Sequence, residues 1–389
     1  MTMAISPSPQ FVFKISKFCN LRCGYCYEFP HLGDKSRMSL DQVRAAFQNI
    51  KNSIDELQIE RADFIWHGGE PLLIPLDYYE QLDLLQKEIF GSEFKFKNSV
   101  QTNLTVLTER HIAFLEGGFF DNIGVSFDVH GEQRVDTKGR SRTGIVRGNM
   151  QKLLDRRIKF AAIAVLARDT LPDIGQTYQF FDRLGIGHRV LAYYKTVGSE
   201  QAQRHGLEFD EHVAAHRILF DEWLASESAT PVHPITDYVS YAVHYIAGFH
   251  NDRYDRSKRE RVFLVDVNGD VFNVLESYER EFCYGNLFSM PFQQIAESEA
   301  RARSLALTEQ RIQRFCHSCE YFGSCPGAFV ANATDVERKM LEESGCPVRP
   351  VLDHILDVFK RADLYDFILE SQQANGGDLV EDNPVLSVA

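Results

Sequence analysis

The eight cysteines of this 389-residue chain fall into two groups. Cys19, Cys23 and Cys26 have the spacing CxxxCxxC, and the other five lie between residues 283 and 346. Three closely spaced thiolates can hold three irons of a 4Fe–4S cluster and leave the fourth iron open for chemistry. Structural zinc is the alternative, but zinc normally takes four protein ligands and only His31 lies near enough to be the fourth. We therefore favour an iron–sulfur cluster at the first group.

The segments that must position this first group alternate between strand-like and helix-like patterns. Predicted strands cover residues 11–18, 62–67, 94–102, 123–128, 159–166 and 188–194. Predicted helices cover residues 39–57, 77–90, 107–117, 144–155 and 172–184, and the first opens with the capping-box sequence Ser39-Leu40-Asp41-Gln42. Strands separated by helices imply parallel βα units with right-handed crossovers. The pattern alone leaves a doubly wound sheet and a partial barrel both open.

A different pattern begins near residue 200. Residues 209–250 predict two helices, and 261–274 predict a β-hairpin, because Asn268-Gly269 suits a tight turn with positive φ. The five late cysteines then lie in loop-rich sequence, before a closing helix near 349–371. We place boundaries near residues 200 and 255.

Charge and hydropathy exclude several classes of protein. The chain carries 42 Lys and Arg against 55 Asp and Glu, a net charge of −13, which argues against nucleic-acid binding because phosphate neutralisation needs a basic face. The longest apolar run, 161–167, is far short of the ~18 residues of a membrane span, and no signal sequence is visible. These features predict a cytoplasmic protein with no membrane association. Clustered cysteines in that reducing compartment indicate metal ligands.

Short motifs follow the first four predicted strands. They are Cys19-x3-Cys23-x-Tyr25-Cys26, Gly68-Gly69-Glu70-Pro71, Gln101-Thr102-Asn103 and Ser126-Phe127-Asp128. Together they resemble the radical S-adenosylmethionine (SAM) superfamily. The resemblance implies an α/β fold with a partial (β/α)6 TIM-type barrel at 1–200. We expect a helical bridge at 201–255, a loop-rich iron–sulfur extension containing a β-hairpin at 256–372, and a disordered tail at 373–389.

The resemblance also assigns roles around the barrel. Cys19, Cys23 and Cys26 would be the catalytic cluster ligands. The implied SAM-binding residues are Tyr25, Gly68, Gly69, Glu70, Gln101, Asn103, Ser126, Asp128 and Arg134, with Arg142 as a second candidate for the SAM carboxylate. Two departures from the family pattern are Leu104, in place of a glycine, and Val129-His130 after the SxD motif; we expect both to bear on the substrate.

The second cysteine group resembles the SPASM or twitch extension of peptide-modifying radical SAM enzymes. Cys316, Cys319, Cys325 and Cys346 match the ligands of one auxiliary 4Fe–4S cluster. The other auxiliary cluster of the full form looks absent, since Val274 and Phe329 occupy two of its ligand positions. Cys283 is left over, either as a replacement for Cys346 or as a free thiol. A zinc site with four cysteines is the alternative.

By resemblance, the first cluster would cleave SAM reductively to a 5′-deoxyadenosyl radical, which takes hydrogen from a substrate carbon. The closest pattern is that of maturases which join an aromatic ring to a Cβ atom in a ribosomal peptide. The alternative is anaerobic sulfatase maturation, which forms formylglycine, or another radical SAM peptide oxidation. Sulfatase maturation is disfavoured because Val274 and Leu275 stand where that branch carries a cysteine–aspartate pair. An iron–sulfur or zinc protein that only carries electrons or binds partners is the alternative of another class.

The expected partners are a small precursor peptide and a reductant such as flavodoxin or ferredoxin. Cys19 leaves no room before it for a leader-binding domain, so we expect leader recognition to be built in, supplied by a separate protein, or absent.

His212 and His216 lie one helical turn apart, without an evident third metal ligand, and predict an exposed helix surface. The stripe Tyr238, Tyr241 and Tyr245 predicts core packing or a peptide groove. A basic run, Arg253, Arg256, Lys258, Arg259 and Arg261, predicts a solvated linker, and docking of an acidic peptide segment there is the alternative.

Overall fold

The computed structural model describes residues 6–193, 204–250, 252, 260–273 and 279–374. Contacts divide the chain into two compact units. The first comprises Met1–Phe127, Glu132–Ala161 and Asp255–Leu307, and the second comprises Asp128–Gly131, Ala162–Tyr254 and Thr308–Ala389. The domain limits expected from the sequence remain a prediction.

The strands of the described residues are, in chain order, β1 (Gln10–Ser16), β2 (Arg61–Gly68), β3 (Lys95–Thr102), β4 (Asn122–Ser126), β5 (Ala161–Leu166), β6 (His188–Ala192), β7 (Val232–His233), β8 (Val262–Val265), β9 (Asp270–Phe272) and β10 (Gly285–Asn286). The α-helices are α1 (Leu40–Lys51), α2 (Leu76–Phe90), α3 (Glu109–Glu116), α4 (Thr143–Asp155), α5 (Ile174–Arg183), α6 (Phe209–Ala225), α7 (Ile235–Ile246), α8 (Phe292–Ala296), α9 (Glu299–Phe315), α10 (Ala328–Ala331), α11 (Asp335–Ser344), α12 (Val348–Arg361) and α13 (Leu364–Ala374).

In the first unit the strand order is β10-β9-β8-β1-β2-β3-β4. β1 to β4 pair in parallel, β8 pairs in parallel with β1, and β9 and β10 continue the sheet antiparallel. In-register aromatic residues fill the core, because Phe11 lies opposite both Phe64 and Phe263, at ring centroid distances of 5.9 and 5.8 Å. The predicted capping box is confirmed: the Ser39 side chain accepts the Gln42 N–H, and the Gln42 side chain accepts the Ser39 N–H.

In the second unit β5, β6 and β7 pair in parallel. Their buried face belongs to a core that also contains residues of α5, α6, α7 and α12, including Phe220 and Ile355, both fully buried. The parallel strands separated by helices confirm the α/β class and the partial TIM-type barrel. No helix in the described part of the chain is both long and apolar enough to cross a bilayer.

The structure corrects two details of the sequence interpretation. The region 283–346 is less loop-rich than expected, because it contains α9, a helix of 17 residues. Polar side chains such as Arg301 and Ser304 occupy buried positions of α9, so its sequence shows no simple apolar stripe. The single closing helix near 349–371 is two helices, α12 and α13, separated at Asp363, where φ is +57°. The predicted hairpin is confirmed as β8 and β9, with Gly269 at φ +88°.

Candidate active site

The first cysteine group lies in a loop directly after β1, which we call the cysteine loop (residues 19–26). Cys19 and Cys23 are buried and Cys26 is half-buried. The three thiols form one small cluster with neighbouring apolar side chains, Leu21, Leu32 and Tyr25. The loop is closed locally, since the Cys26 N–H donates to the Cys23 carbonyl at 3.1 Å.

The surroundings of these thiols suit metal binding. Burial raises the pKa of Cys19 to about 12 and that of Cys26 to about 11, so both keep their protons at neutral pH until a metal displaces them. The Leu21 N–H lies 3.4 Å and the Asn103 side-chain nitrogen 3.6 Å from the Cys19 sulfur. N–H donors to sulfur stabilise thiolates and tune the potential of a bound cluster.

Gly68 and Gly69 press the end of β2 against the end of β1. A Cβ atom on Gly68 would lie 2.1 Å from the Ser16 carbonyl oxygen, and one on Gly69 would lie 2.2 Å from that of Phe18. The Gly69 N–H donates to Ser16 at 2.8 Å, and the Glu70 N–H donates to Phe18 at 2.9 Å. Only glycine fits these two positions, and the turn they form adjoins the residue before Cys19.

The Glu70 side chain ties the ends of β2 and β3 together. Its buried carboxylate accepts the Thr102 hydroxyl at 2.6 Å, the Asn103 N–H at 2.6 Å and the Leu72 N–H at 2.8 Å. Burial raises the pKa of Glu70, although these three donors oppose that shift. The carboxylate is therefore committed to the scaffold, and only the backbone of this motif is left to meet a ligand.

The motifs after β3 and β4 also meet in the structure. The Gln101 side-chain nitrogen donates to the Ser126 hydroxyl at 2.7 Å, and Gly124 leaves room for the Gln101 side chain. Asn103 donates to the Asn20 side chain at 3.1 Å, which joins β3 to the cysteine loop. Asp128, the last residue of the motif after β4, belongs to the second unit, where its carboxylate accepts the Val165 N–H at 2.9 Å.

Leu104 stands where the resemblance leads one to expect glycine, and it keeps a glycine-like backbone. Its φ is +51°, in the left-handed region that favours glycine, and its side chain is fully buried. The Leu104 N–H donates to the Thr102 hydroxyl at 2.9 Å, and its carbonyl accepts the Asn149 side chain at 2.9 Å. These two hydrogen bonds hold the strained residue in place.

The two arginine candidates for a carboxylate ligand have different surroundings. Arg134 is buried, and its guanidinium carbon lies 5.7 Å from the centre of the Tyr25 ring. Arg142 pairs with Asp136, a carboxylate that Arg140 also binds, at 2.9 Å. Arg134 is therefore the candidate that the structure places beside the cysteine loop.

The protonation state of Asp136 makes the stability of the protein depend on pH. Its hydrogen bonds, first from the Arg140 backbone N–H at 3.0 Å, hold the pKa of the carboxyl well below its usual range. The same loop supports the cysteine loop, because the Arg22 N–H donates to Val135 at 2.7 Å and the Gly24 N–H donates to Gln133 at 3.2 Å.

We expect Asp136→Asn to destabilise the protein at pH 7 by more than it does at pH 3. A carboxyl with a lowered folded-state pKa stabilises the fold above its unfolded pKa of about 4, and that stabilisation is lost as the pH falls. Urea unfolding of the wild type and the variant across this range measures the difference. A difference that stays constant with pH would contradict the assignment.

The cysteine loop and the motifs around it are shared with a known protein family. The sequence model described as the radical SAM superfamily matches residues 13–181, the range that contains the cysteine loop and the glycine, glutamine and serine motifs. Residues 13–181 are a radical SAM domain. Such a domain uses SAM and a 4Fe–4S cluster, and the chain is an enzyme.

The radical SAM domain and the rest of the chain have relatives and structural neighbours. The serine-type anaerobic sulfatase-maturating enzyme of Bacteroides thetaiotaomicron is 24% identical over 345 residues, covering 82% of this chain and 81% of that enzyme. Native anSMEcpe with bound AdoMet and Cp18Cys peptide has a TM-score of 0.72 at 18% identity, covering 94% and 99% of the two chains. Streptococcus suis SuiB bound to precursor peptide SuiA has a TM-score of 0.57 at 14% identity, covering 88% and 75%. These structures show the shared fold.

Outside the radical SAM domain, four cysteines of the second unit line one cavity, which we call the auxiliary site: Cys316, Cys319, Cys325 and Cys346. Gly327, at φ +80°, lets the backbone approach the Cys316 sulfur closely, because a Cβ atom there would lie only 3.0 Å from that sulfur. Burial raises the pKa of Cys325 to about 12 and that of Cys346 to about 11. The backbone N–H groups of Val348 and Arg349 lower the pKa of Cys346 and so partly oppose the effect of burial.

This donor set fits a 4Fe–4S cluster. The four thiols line one cavity, and a structural zinc ion takes the same four cysteine ligands. Cys283 lies in the first unit, where its thiol donates to the Gly285 carbonyl at 3.6 Å. Cys346 is the cysteine that lines the cavity with the other three.

Sequence reasoning missed a buried polar cluster beside the cysteine loop. Lys14, on β1, is fully buried and pairs with Glu28, which is 2% exposed, and its amino group lies 3.1 Å from the Tyr27 hydroxyl. Burial lowers the pKa of Lys14, but Tyr27 and Glu28 more than offset that effect, so its pKa is raised. His67, on β2, is a near neighbour whose pKa is lowered to about 4 by burial and by Lys14. A lysine within an apolar strand is the signal that could have identified this cluster.

The weaker sequence predictions have mixed outcomes. The exposed-surface interpretation of His212 and His216 is wrong: they are 4% and 9% exposed, because this face of α6 packs against aromatic residues. Tyr238 is buried as expected for core, and Tyr241 lines a cavity together with both histidines. Arg253, Arg256, Lys258 and Arg259 of the basic run lie outside the described residues, and so do Val274 and Leu275.

Proposed function

We propose that this radical SAM enzyme is a peptide maturase that joins an aromatic ring to a neighbouring Cβ atom in a small ribosomal peptide. The observation that carries the proposal is the auxiliary site, whose four thiols line one cavity. A cluster held by four protein thiolates has no open iron, so it suits electron acceptance. When bound, SAM and its cluster supply the hydrogen-abstracting radical, and the auxiliary cluster supplies an acceptor for the second electron of the oxidation.

The residues of the chain bind, orient and shield these groups. Cys19, Cys23 and Cys26 would hold the first cluster. The backbone at Gly68 and Gly69 would meet the SAM amino group, and a cation would bind its carboxylate. Arg134 suits that role because it is buried beside the cysteine loop. The ring of Tyr25 and nearby leucines would keep water from the reacting atoms.

Formylglycine formation, as in sulfatase maturation, is the second candidate. The similarity to the serine-type sulfatase-maturating enzyme over most of both chains favours it. The residues Val274 and Leu275 weigh against it, because neither side chain can act as a base or as a metal ligand.

We expect the anaerobically reconstituted enzyme to remove two hydrogens from the small peptide encoded beside it, in a reaction that needs SAM and a reductant. Mass loss alone does not separate the candidates, since oxidation of serine to formylglycine also removes two hydrogens. Peptides with ring-deuterated aromatic residues make the distinction: ring–Cβ joining loses one ring deuterium, and aldehyde formation loses none. Tandem mass spectrometry of the product and a hydrazide reagent for the aldehyde complete the measurement.

Each outcome decides between the candidates. Loss of a ring deuterium, with no backbone fragments between the joined residues, supports cross-linking. A hydrazide-reactive product that keeps every ring deuterium supports formylglycine formation and overturns the proposal. The Cys23→Ala variant is the control without SAM cleavage. The electron donor, a separate leader-binding protein and the cytoplasmic location remain predictions.

A further inference from the structure

A second cavity of the second unit, about 280 Å³ in volume, opens beside β6. Alternate residues of β6 point to opposite faces. Arg189 and Leu191 are exposed on one face of β6 and Val190 is buried, and all three line the cavity. The sulfur-bearing residue Cys325 of the auxiliary site also lines it.

One wall of this cavity is a continuous series of aromatic rings. The Phe329 ring packs edge-on against the His212 ring, with their centroids 6.2 Å apart. The His212 and His216 rings are parallel, also with centroids 6.2 Å apart. The series continues from His216 to Tyr238 at 5.8 Å and from Tyr238 to Tyr241 at 6.1 Å. Rings at these distances pack favourably, and a further aromatic side chain could extend the series.

The charges around the cavity leave one cation available. In the described part of the chain, the side chain of Arg189 makes no ion pair or hydrogen bond, although it lines the cavity of an acidic protein. Two acids also line the cavity: Asp237 lies 3.0 Å from the His233 ring nitrogen, and Glu337 accepts the Thr334 backbone N–H at 2.7 Å. Burial lowers the pKa of His216, so its imidazole is neutral at pH 7 and adds no charge.

We propose that this cavity is a subsite for the substrate peptide that takes an aromatic side chain followed by an acidic residue. The aromatic side chain would pack on the ring wall, and the acidic side chain would pair with Arg189. A segment held there lies beside Cys325, a residue of the auxiliary site. This inference rests on the proposed function, because it assumes that the substrate is a peptide.

Binding measurements on the reconstituted enzyme test the subsite without turnover. The probes are four fluorescein-labelled Gly-Ser peptides that differ only in a central pair: Phe-Asp, Phe-Asn, Ala-Asp or Phe-Lys. We expect the Phe-Asp peptide to bind about fivefold more tightly than the Phe-Asn peptide, as for a partly exposed ion pair, with a smaller ratio at high salt. We also expect the Ala-Asp peptide to bind more weakly than Phe-Asp.

Variants identify the residues responsible. Arg189→Gln should remove the preference for Asp over Asn, and Arg189→Glu should shift the preference to Phe-Lys. Tyr241→Ala should weaken binding of the three Phe-containing peptides relative to Ala-Asp. Arg183→Gln, which removes an exposed arginine from the end of α5, is the matched control and should change nothing.

The outcomes separate this inference from the proposed function. Equal binding of Phe-Asp and Phe-Asn, or a preference that survives Arg189→Glu, overturns the subsite. A preference that follows these variants in an enzyme that modifies no peptide supports the subsite and overturns the proposed function. Modification of a peptide without any preference overturns the subsite alone.

Discussion

Cys23→Ala will abolish reductive cleavage of SAM and lower the iron content from about eight to about four per chain, since two 4Fe–4S clusters hold about eight irons. Cys23 is buried in the cysteine loop, and no other cysteine belongs to its apolar cluster apart from Cys19 and Cys26 among the described residues. Loss of one thiolate leaves two, too few to hold a cluster that must keep an open iron. Iron and sulfide analysis and detection of 5′-deoxyadenosine measure the two effects.

Variants of the late cysteines complete this experiment. Cys346→Ala should also lose about four irons but keep SAM cleavage, because it removes only the auxiliary cluster. Cys283→Ser is the matched control and should keep the full iron content and cleavage. Loss of iron in Cys283→Ser with full iron in Cys346→Ala would reverse the assignment of the fourth ligand. Zinc in place of iron in the wild type would overturn the auxiliary cluster.

Lys14→Met will lower the free energy of unfolding by about 3–5 kcal/mol, the cost of removing one partner from a buried ion pair. The variant keeps an apolar side chain of similar length but leaves the Glu28 carboxylate buried without its cation. Since Glu28 lies two residues after Cys26, we also expect the variant to retain less iron at the first site. Urea unfolding under anaerobic conditions and iron analysis provide the two measurements.

A second variant separates charge from packing. Lys14→Met combined with Glu28→Leu should recover most of the lost stability, because a well-packed apolar pair often replaces a buried ion pair at little cost. The exposed pair of Arg44 and Glu88, joined at 2.6 Å, is the control, and Arg44→Met should cost far less because water already screens that pair. A similar loss in Lys14→Met and Arg44→Met would contradict the importance of burial.

The order of strands and helices could be predicted because each βα unit carries its own local signals. Residues placed by their position at strand ends, such as Glu70 and Asn103, do meet in the structure. The direction of a side chain was less predictable. The Glu70 carboxylate points into the scaffold, since three donors surround it, and nothing in the motif itself specifies those donors.

The features that sequence reasoning missed depend on contacts between distant segments. His212 and His216 look like polar residues of a surface helix until Phe329 and Tyr238, from other elements, cover them. Leu104 would not be assigned a positive φ from its type, because bulky side chains disfavour it. Its strained backbone depends on a hydrogen bond from Asn149, 45 residues away in sequence.

The close contact of Gly68 and Gly69 with the β1 end has a consequence for how the enzyme tolerates change. The proposed amine-binding turn and the first cluster ligand, Cys19, are joined through carbonyl oxygens and N–H groups, without an intervening side chain. Their relative position is therefore insulated from side-chain substitution elsewhere in the barrel. Sequence drift can reshape the substrate pocket while the separation between these two binding elements stays constant. The radical-generating part of such an enzyme could thus be preserved as its peptide substrates diverge.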